Sequence, residues 1–163
     1  MNLLTSEEKV RLAKLAIALG SKNGPEKYGL EFDMSDYHVR KDYGTIDPDE
    51  VRHDCGTSCC ALGFAPLVLR GGARPRANEN WNDYGGRLFP SALVFSGLWG
   101  FLFGPNNPNS ISEFRKRALF VLQDRQRDCY DRKDCYSALA ELKWGNPRQK
   151  DFQPYLKSKT TND

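Results

Sequence analysis

Histidine is scarce in this 163-residue chain: there are two, His38 and His53. A nucleophilic thiol needs a base, normally an imidazole held by a third group, so any such chemistry has to draw on one of them. No apolar run approaches the roughly 18 residues that span a bilayer, which argues against a membrane protein. The first predicted helix carries Glu7, Glu8, Lys9, Arg11 and Lys14, a pattern unlike a secretory signal. The five cysteines are an odd number in two clusters, Cys55/Cys59/Cys60 and Cys129/Cys135. That is no distributed disulfide framework, and reduced thiols in a cytoplasmic protein are expected. Also missing are a Gly-rich phosphate loop, a dinucleotide fingerprint and a repeat of 20–50 residues. No cofactor is expected.

What is present points to a mainly α protein. The expected fold is a single compact domain of about five helices over residues 1–144, with an irregular 21–54 segment that allows one short strand or hairpin. A loosely attached basic tail is expected over 145–163, anchored only by Phe152 and Tyr155. Thr5 and Glu8 fit a capping box, and Leu12, Leu15, Ala16 and Leu19 form a stripe that stops at Gly20. Phe32, Met34 and Tyr37 are expected to tie the irregular segment to the core. A second helix is predicted over 57–69, bent or ended by Pro66. The run 91–103 reads as one buried helix. A further capping box, Ser110 with Glu113, opens a helix with Ile111, Phe114, Ala118, Val121 and Leu122 inward and Arg115, Lys116 and Arg125 outward. The last helix is predicted over 134–144.

The net charge of +3 conceals an asymmetry. The first 69 residues hold three more acidic than basic side chains, and the remainder holds six more basic than acidic. A mildly basic half tolerates an anionic partner without demanding nucleic acid.

The sharpest motif is His53-Asp54-Cys55-Gly56-Thr57-Ser58-Cys59-Cys60. A cysteine just before a helix sees the positive end of the dipole, which favours thiolate. Asp54-Cys55-Gly56-x-x-Cys59 resembles the start of bacterial papain-like peptidases that trim leader sequences, which would make Cys55 a nucleophile served by His53 or His38. In those peptidases the histidine follows the cysteine, whereas both histidines here precede it. A metal site would draw on His53, Cys55 and Cys59, but the spacing is off the usual zinc pattern, and no metal is expected. The plainer reading is a helix-packing joint of small residues, in which buried cysteine acts as a small hydrophobe.

Three segments carry a wider resemblance: Phe32-Asp33-Met34, His53–Ala65 and Ala92–Phe103. Their pattern, FDM followed by CGTxxCxxGxA and an apolar segment ending in LF, is similar to a set of small bacteriophage and bacterial proteins that have no assigned activity. Cys55, Gly56, Thr57, Cys59, Gly63 and Ala65 match it, while Phe64 stands where the pattern often has Trp. The resemblance implies a phage or mobile-element origin and no mechanism.

Residues 71–90 read as a long polar surface loop. Arg70, Arg74, Arg76 and Arg87 bracket Trp81 and Tyr84. Guanidinium forks suit phosphates, and exposed aromatics stack on bases or anchor protein interfaces. The expectation is a non-enzymatic, phage- or prophage-encoded binding protein of the host cytoplasm, of counter-defence or host-takeover type. It would take a host protein or a small anionic ligand such as a signalling nucleotide through these six residues. The alternatives are a thiol-dependent hydrolase using Cys55 and a small nucleic-acid-binding regulator.

Overall fold

The computed structural model describes residues 3–28, 31–32, 58–59, 61–69, 74–94, 97–104, 107–108, 110–129 and 131–157. The described fold is mainly helical, as its composition and periodicity predict. Helix α1 (Ser6–Leu19) begins as expected: Thr5 Oγ1 accepts from Glu8 N at 3.2 Å, and Glu8 Oε2 accepts from Thr5 N at 2.7 Å. Glu8 itself is buried, and its second oxygen accepts from Ser91 N at 2.7 Å. The capping carboxylate therefore also staples α1 to a segment more than eighty residues away. Leu12, Ala13, Leu15, Ala16 and Leu19 are the buried face.

Two two-residue strands pair in parallel, β1 (Glu31–Phe32) against β2 (Ser58–Cys59). This seats the Phe32 ring between Phe64 at 6.4 Å and Phe114 at 6.3 Å. Phe32 thus makes the expected tie to the core; Met34 and Tyr37 lie outside the described residues. The expected 57–69 helix is a correction. Residues 58–59 are strand, 61–64 are turn, and α2 is only Ala65–Val68. Pro66 sits in the first turn, where its missing N–H has no helical partner to lose, so it opens the helix instead of bending it.

The polar 71–90 segment is also corrected, because α3 (Trp81–Leu88) occupies its second half. Asn80 caps it by accepting from Asp83 N at 2.9 Å. Gly85-Gly86 looks like a loop signal, but a Cβ at Gly85 would lie 2.1 Å from the Trp99 ring. That glycine gives Trp99 room against the helix. The apolar run 91–103 divides into α4 (Pro90–Val94) and α5 (Leu98–Phe103). The break is at Gly97, with φ 84°, where a Cβ would come within 3.0 Å of the Arg132 backbone nitrogen. Consequently Leu93 and Val94 are exposed while Phe101, Leu102 and Phe103 are fully buried.

Helix α6 (Ile111–Leu122) is the centre of the described core. Phe114, Ala118, Val121 and Leu122 face inward as predicted, and Leu119 and Phe120 join them. Ser110 stands at the cap without a side-chain cap bond, and Glu113 pairs with Lys116 at 2.7 Å in place of the expected box. Arg115 is buried, contrary to the outward placement, because the C-terminal segment covers it. Helix α7 runs Arg132–Glu141, earlier than the predicted 134–144, because Asp131 caps it and accepts from Asp134 N at 3.0 Å. Of the expected 145–163 tail, residues 145–157 are described, and Phe152, one of its expected anchors, is in the core. Helix α8 (Gln149–Phe152) and a 3-10 turn (Gln153–Tyr155) pack on α1, and Phe152 is fully buried.

Arg117 of α6 is 1% exposed, and its Nε and Nη2 have no hydrogen-bond partner among the described residues. Burial lowers its pKa, opposed by the nearby Tyr136 and Glu113. An arginine still charged there is a net cost to folding, since a desolvated ion without full pairing is worse than an apolar group of the same shape. Arg117→Met keeps the aliphatic stem and removes the charge. It is expected to stabilise the fold by about 1–4 kcal/mol, read as a rise of several degrees in Tm. A fall in Tm would mean that the guanidinium is paired in solution.

Candidate functional site

The residues that the sequence singles out fall into three groups. His38, His53, Cys55 and Arg70 lie outside the described residues. Cys59 is described only as backbone in β2, and Trp81 only as the first residue of α3. The rest are described, and they form a brace. Glu79 accepts from Arg87 Nε at 2.7 Å and from Arg87 Nη2 at 2.8 Å. Arg87 Nη2 also donates to the Arg74 carbonyl at 2.7 Å, and Arg76 N donates to Glu79 at 2.8 Å. The Arg87 guanidinium holds the Glu79 carboxyl below its ordinary range, and Glu79 in turn raises Arg87.

Tyr84 is fully buried, with Arg87 5.5 Å from its ring centre. Burial pushes the Tyr84 hydroxyl well above its ordinary pKa. An exposed stacking role for Tyr84 and a free ligand-binding role for Arg87 are therefore corrected. Arg87 is spent on holding the segment before α3, because the 79–87 spacing folds the arginine back onto its own loop, and the Tyr84 ring is packed in the core. Arg74 and Arg76 keep exposed side chains.

A different surface gathers chemistry. Between the end of α6 and the C-terminal segment lies a cleft of about 630 Å³, lined by Leu119, Gln123, Arg125, Trp144, Asn146, Arg148, Lys150, Asp151 and Tyr155 among others. The Arg125 guanidinium lies 5.6 Å from the centre of the Trp144 ring, and its Nε donates to Gln123 Oε1 at 2.8 Å. Arg148 pairs loosely with Asp151 at 3.9 Å. Arg125 and Lys150 have no acidic partner among the described residues.

A second recess of about 390 Å³ adjoins it, lined by Ser6, Lys9, Leu122, Asp124 and Lys157, and it shares Gln123, Pro154 and Tyr155 with the first. Lys9 binds Asp124 at 2.5 Å. The Tyr155 hydroxyl is raised by burial and by Asp124, and Arg125 opposes this, as expected for a ring standing between the two recesses.

Two unusual backbone positions shape this surface. Asp124 has φ 57° and Lys143 has φ 49°, the left-handed region that residues with a Cβ seldom enter. Asp124 turns the chain from α6 into the 3-10 turn Arg125–Asp128 and so delivers Arg125. Lys143 stands just past α7, where glycine is usual, and delivers Trp144. Strain of this kind concentrates at functional sites, where the surrounding structure holds it.

Sequence reasoning reads Arg125 only as an outward residue and Tyr155 only as an anchor, and it does not single out Trp144, Arg148 or Lys150. The available signal was Trp144-Gly145-Asn146-Pro147-Arg148, the same arginine, asparagine and aromatic types that drew attention to 71–90.

Cys135 is buried and Cys129 half-buried; both are free thiols. Burial, and then the Cys129 contact, push the Cys135 thiol far above its ordinary range, so it stays protonated and unreactive at neutral pH.

Two outcomes follow. Glu79→Gln is expected to destabilise the fold by about 1–3 kcal/mol by leaving Arg87 without its charged partner. Because the folded-state pKa of Glu79 is lowered, its contribution is present above the ordinary glutamate value of about 4.3. It disappears as the pH falls through the lower folded value, so wild type and variant converge in acid; parallel denaturation curves from pH 2 to 7 check this. Separately, Cys135 is expected to resist alkylation at pH 7.5 in native protein and to label fully in denaturant, with mass spectrometry of the labelled peptide as the readout.

The chain matches no protein-family model, no curated protein and no solved structure, so its function is argued from the residues and distances above.

Proposed function

We propose that this chain is a non-enzymatic binding protein whose ligand is a small anion carrying an aromatic ring, taken up in the cleft beside Trp144. The observation that carries the reading is the Arg125–Trp144 pair in the lining of a recess that also presents Lys150 and Arg148. A volume of about 630 Å³ falls within the roughly 300–1,000 Å³ of small-molecule sites. Unpaired cations supply the attraction for an anion, and an indole face supplies a stacking platform. The resemblance to small phage proteins extends the proposal: a phage- or prophage-encoded protein that sequesters a host signalling nucleotide, as a counter-defence factor does. The 74–76 segment, with Arg74 and Arg76 exposed, remains open to contact with a host protein.

A thermal-shift series with nucleotides and inorganic triphosphate tests the reading. A ligand present at 100 times its Kd stabilises by about 2.7 kcal/mol, or about 5–10 °C for a domain of this size. The expected result is a shift of that size in wild type and its loss in Arg125→Ala/Lys150→Ala. If no anion raises Tm, or if the double variant responds equally, the cleft is not the site.

A further inference from the structure

We infer that the ligand of this surface is a dinucleotide, two nucleotide units joined through phosphate, with one unit in each of the two adjoining recesses. The inference rests on the binding reading above and adds to it the shape and valence of the ligand. The two recesses are not independent cavities: Gln123, Pro154 and Tyr155 form part of both linings. A ligand that fills the larger one reaches the smaller one past the Tyr155 ring. Each recess exceeds about 300 Å³, the lower end for a small-molecule site.

Each recess also carries a ring and a cation. The larger has Trp144 with Arg125 and Lys150. The smaller has Tyr155, which lines both recesses, with Leu122 and Lys157. Each of the two lining carboxylates faces a cation: one oxygen of Asp124 accepts from Lys9 at 2.5 Å while the other has no hydrogen-bond partner among the described residues, and Asp151 lies 3.9 Å from Arg148. Among the cations that line the recesses, Arg125, Lys150 and Lys157 have no acidic partner among the described residues, and they are divided between the two. A lone mononucleotide would leave one recess and its charge unused. Two bases linked by phosphate fill both, one stacked at Trp144 and the other at Tyr155, and linking the two units makes the second contact intramolecular.

Titration calorimetry of the full chain with adenosine monophosphate, the 5′-phosphorylated dinucleotide pApA, inorganic triphosphate and a ten-residue oligoadenylate separates the cases. The expected result is that pApA binds at least tenfold tighter than the monophosphate and the triphosphate. Lys157→Ala, an exposed change in the smaller recess, should weaken pApA about threefold or more and leave the monophosphate unchanged. Trp144→Ala should weaken pApA about tenfold, while Trp144→Phe, which keeps a ring and guards against a folding defect, should restore most of it.

If pApA and the monophosphate bind equally, the two-unit ligand is wrong and the anion-binding reading stands. If the triphosphate alone matches pApA, the rings contribute nothing and the dinucleotide is wrong. If the oligoadenylate binds far tighter than pApA, the recesses belong to a longer single-strand track and the inference fails. If none of the four binds, both this inference and the function proposed above fall.

Discussion

Helix α6 is covered on nearly every side, and that constraint organises the described structure. From Phe114 to Leu122 every residue except Lys116 is buried. A 12-residue helix cannot bury itself all round without neighbours in several directions. Helix α1 packs along it, α5 and α7 cover other faces, and the C-terminal segment closes what is left. An aromatic chain runs through this assembly from Phe64 through Phe32 and Phe114 to Phe103, with Phe89 and Trp99 beside it. The short parallel strand pair is part of the same arrangement, since it brings Phe32 to α6.

Burying α6 all round also buries its two arginines, and they meet different fates. Arg115 has found partners: its guanidinium lies 5.0 Å from the Phe152 ring and donates to Gln149 at 3.1 Å. Gln149 in turn donates to the Ile17 carbonyl at 2.9 Å. One arginine thus joins α6, the C-terminal segment and the end of α1. That junction turns a stretch with few apolar anchors into part of the cleft lining, together with Leu119 of α6 and Gln123 just after it. Arg117 Nε and Nη2 have no hydrogen-bond partner among the described residues, and its desolvation is opposed by attraction to Tyr136 and Glu113. The candidate site therefore depends on the core: the Arg115 contacts, with the buried Phe152, hold the segment that carries Lys150 and Tyr155.

Polar residues that sequence reasoning assigns to ligands are mostly engaged in holding chain segments. Glu8 spends both oxygens on backbone N–H groups of α1 and α4. Glu79 and Arg87 pin the approach to α3. Asp124 accepts Lys9 and fixes the corner after α6. A charged side chain with short, mutual partners has little capacity left for a ligand. On the C-terminal surface, Arg125, Lys150 and Lys157 have no acidic partner among the described residues and keep that capacity.

Features set within a turn or two of chain were legible in the sequence. The Thr5–Glu8 box and the stripe ending at Gly20 define α1 because a cap and a 3.6-residue period are local properties. The inward face of α6 was legible for the same reason. Tertiary structure decided the remainder, because the decisive contacts join distant residues. Gly85 reads as a loop breaker until Trp99 is seen to need its space, and Gly97 divides an apolar run because Arg132 approaches it. The burial of Arg115 depends on a segment that reaches Ile17 from 132 residues away. No local pattern encodes that approach, and the cleft it creates was invisible until the chain was folded.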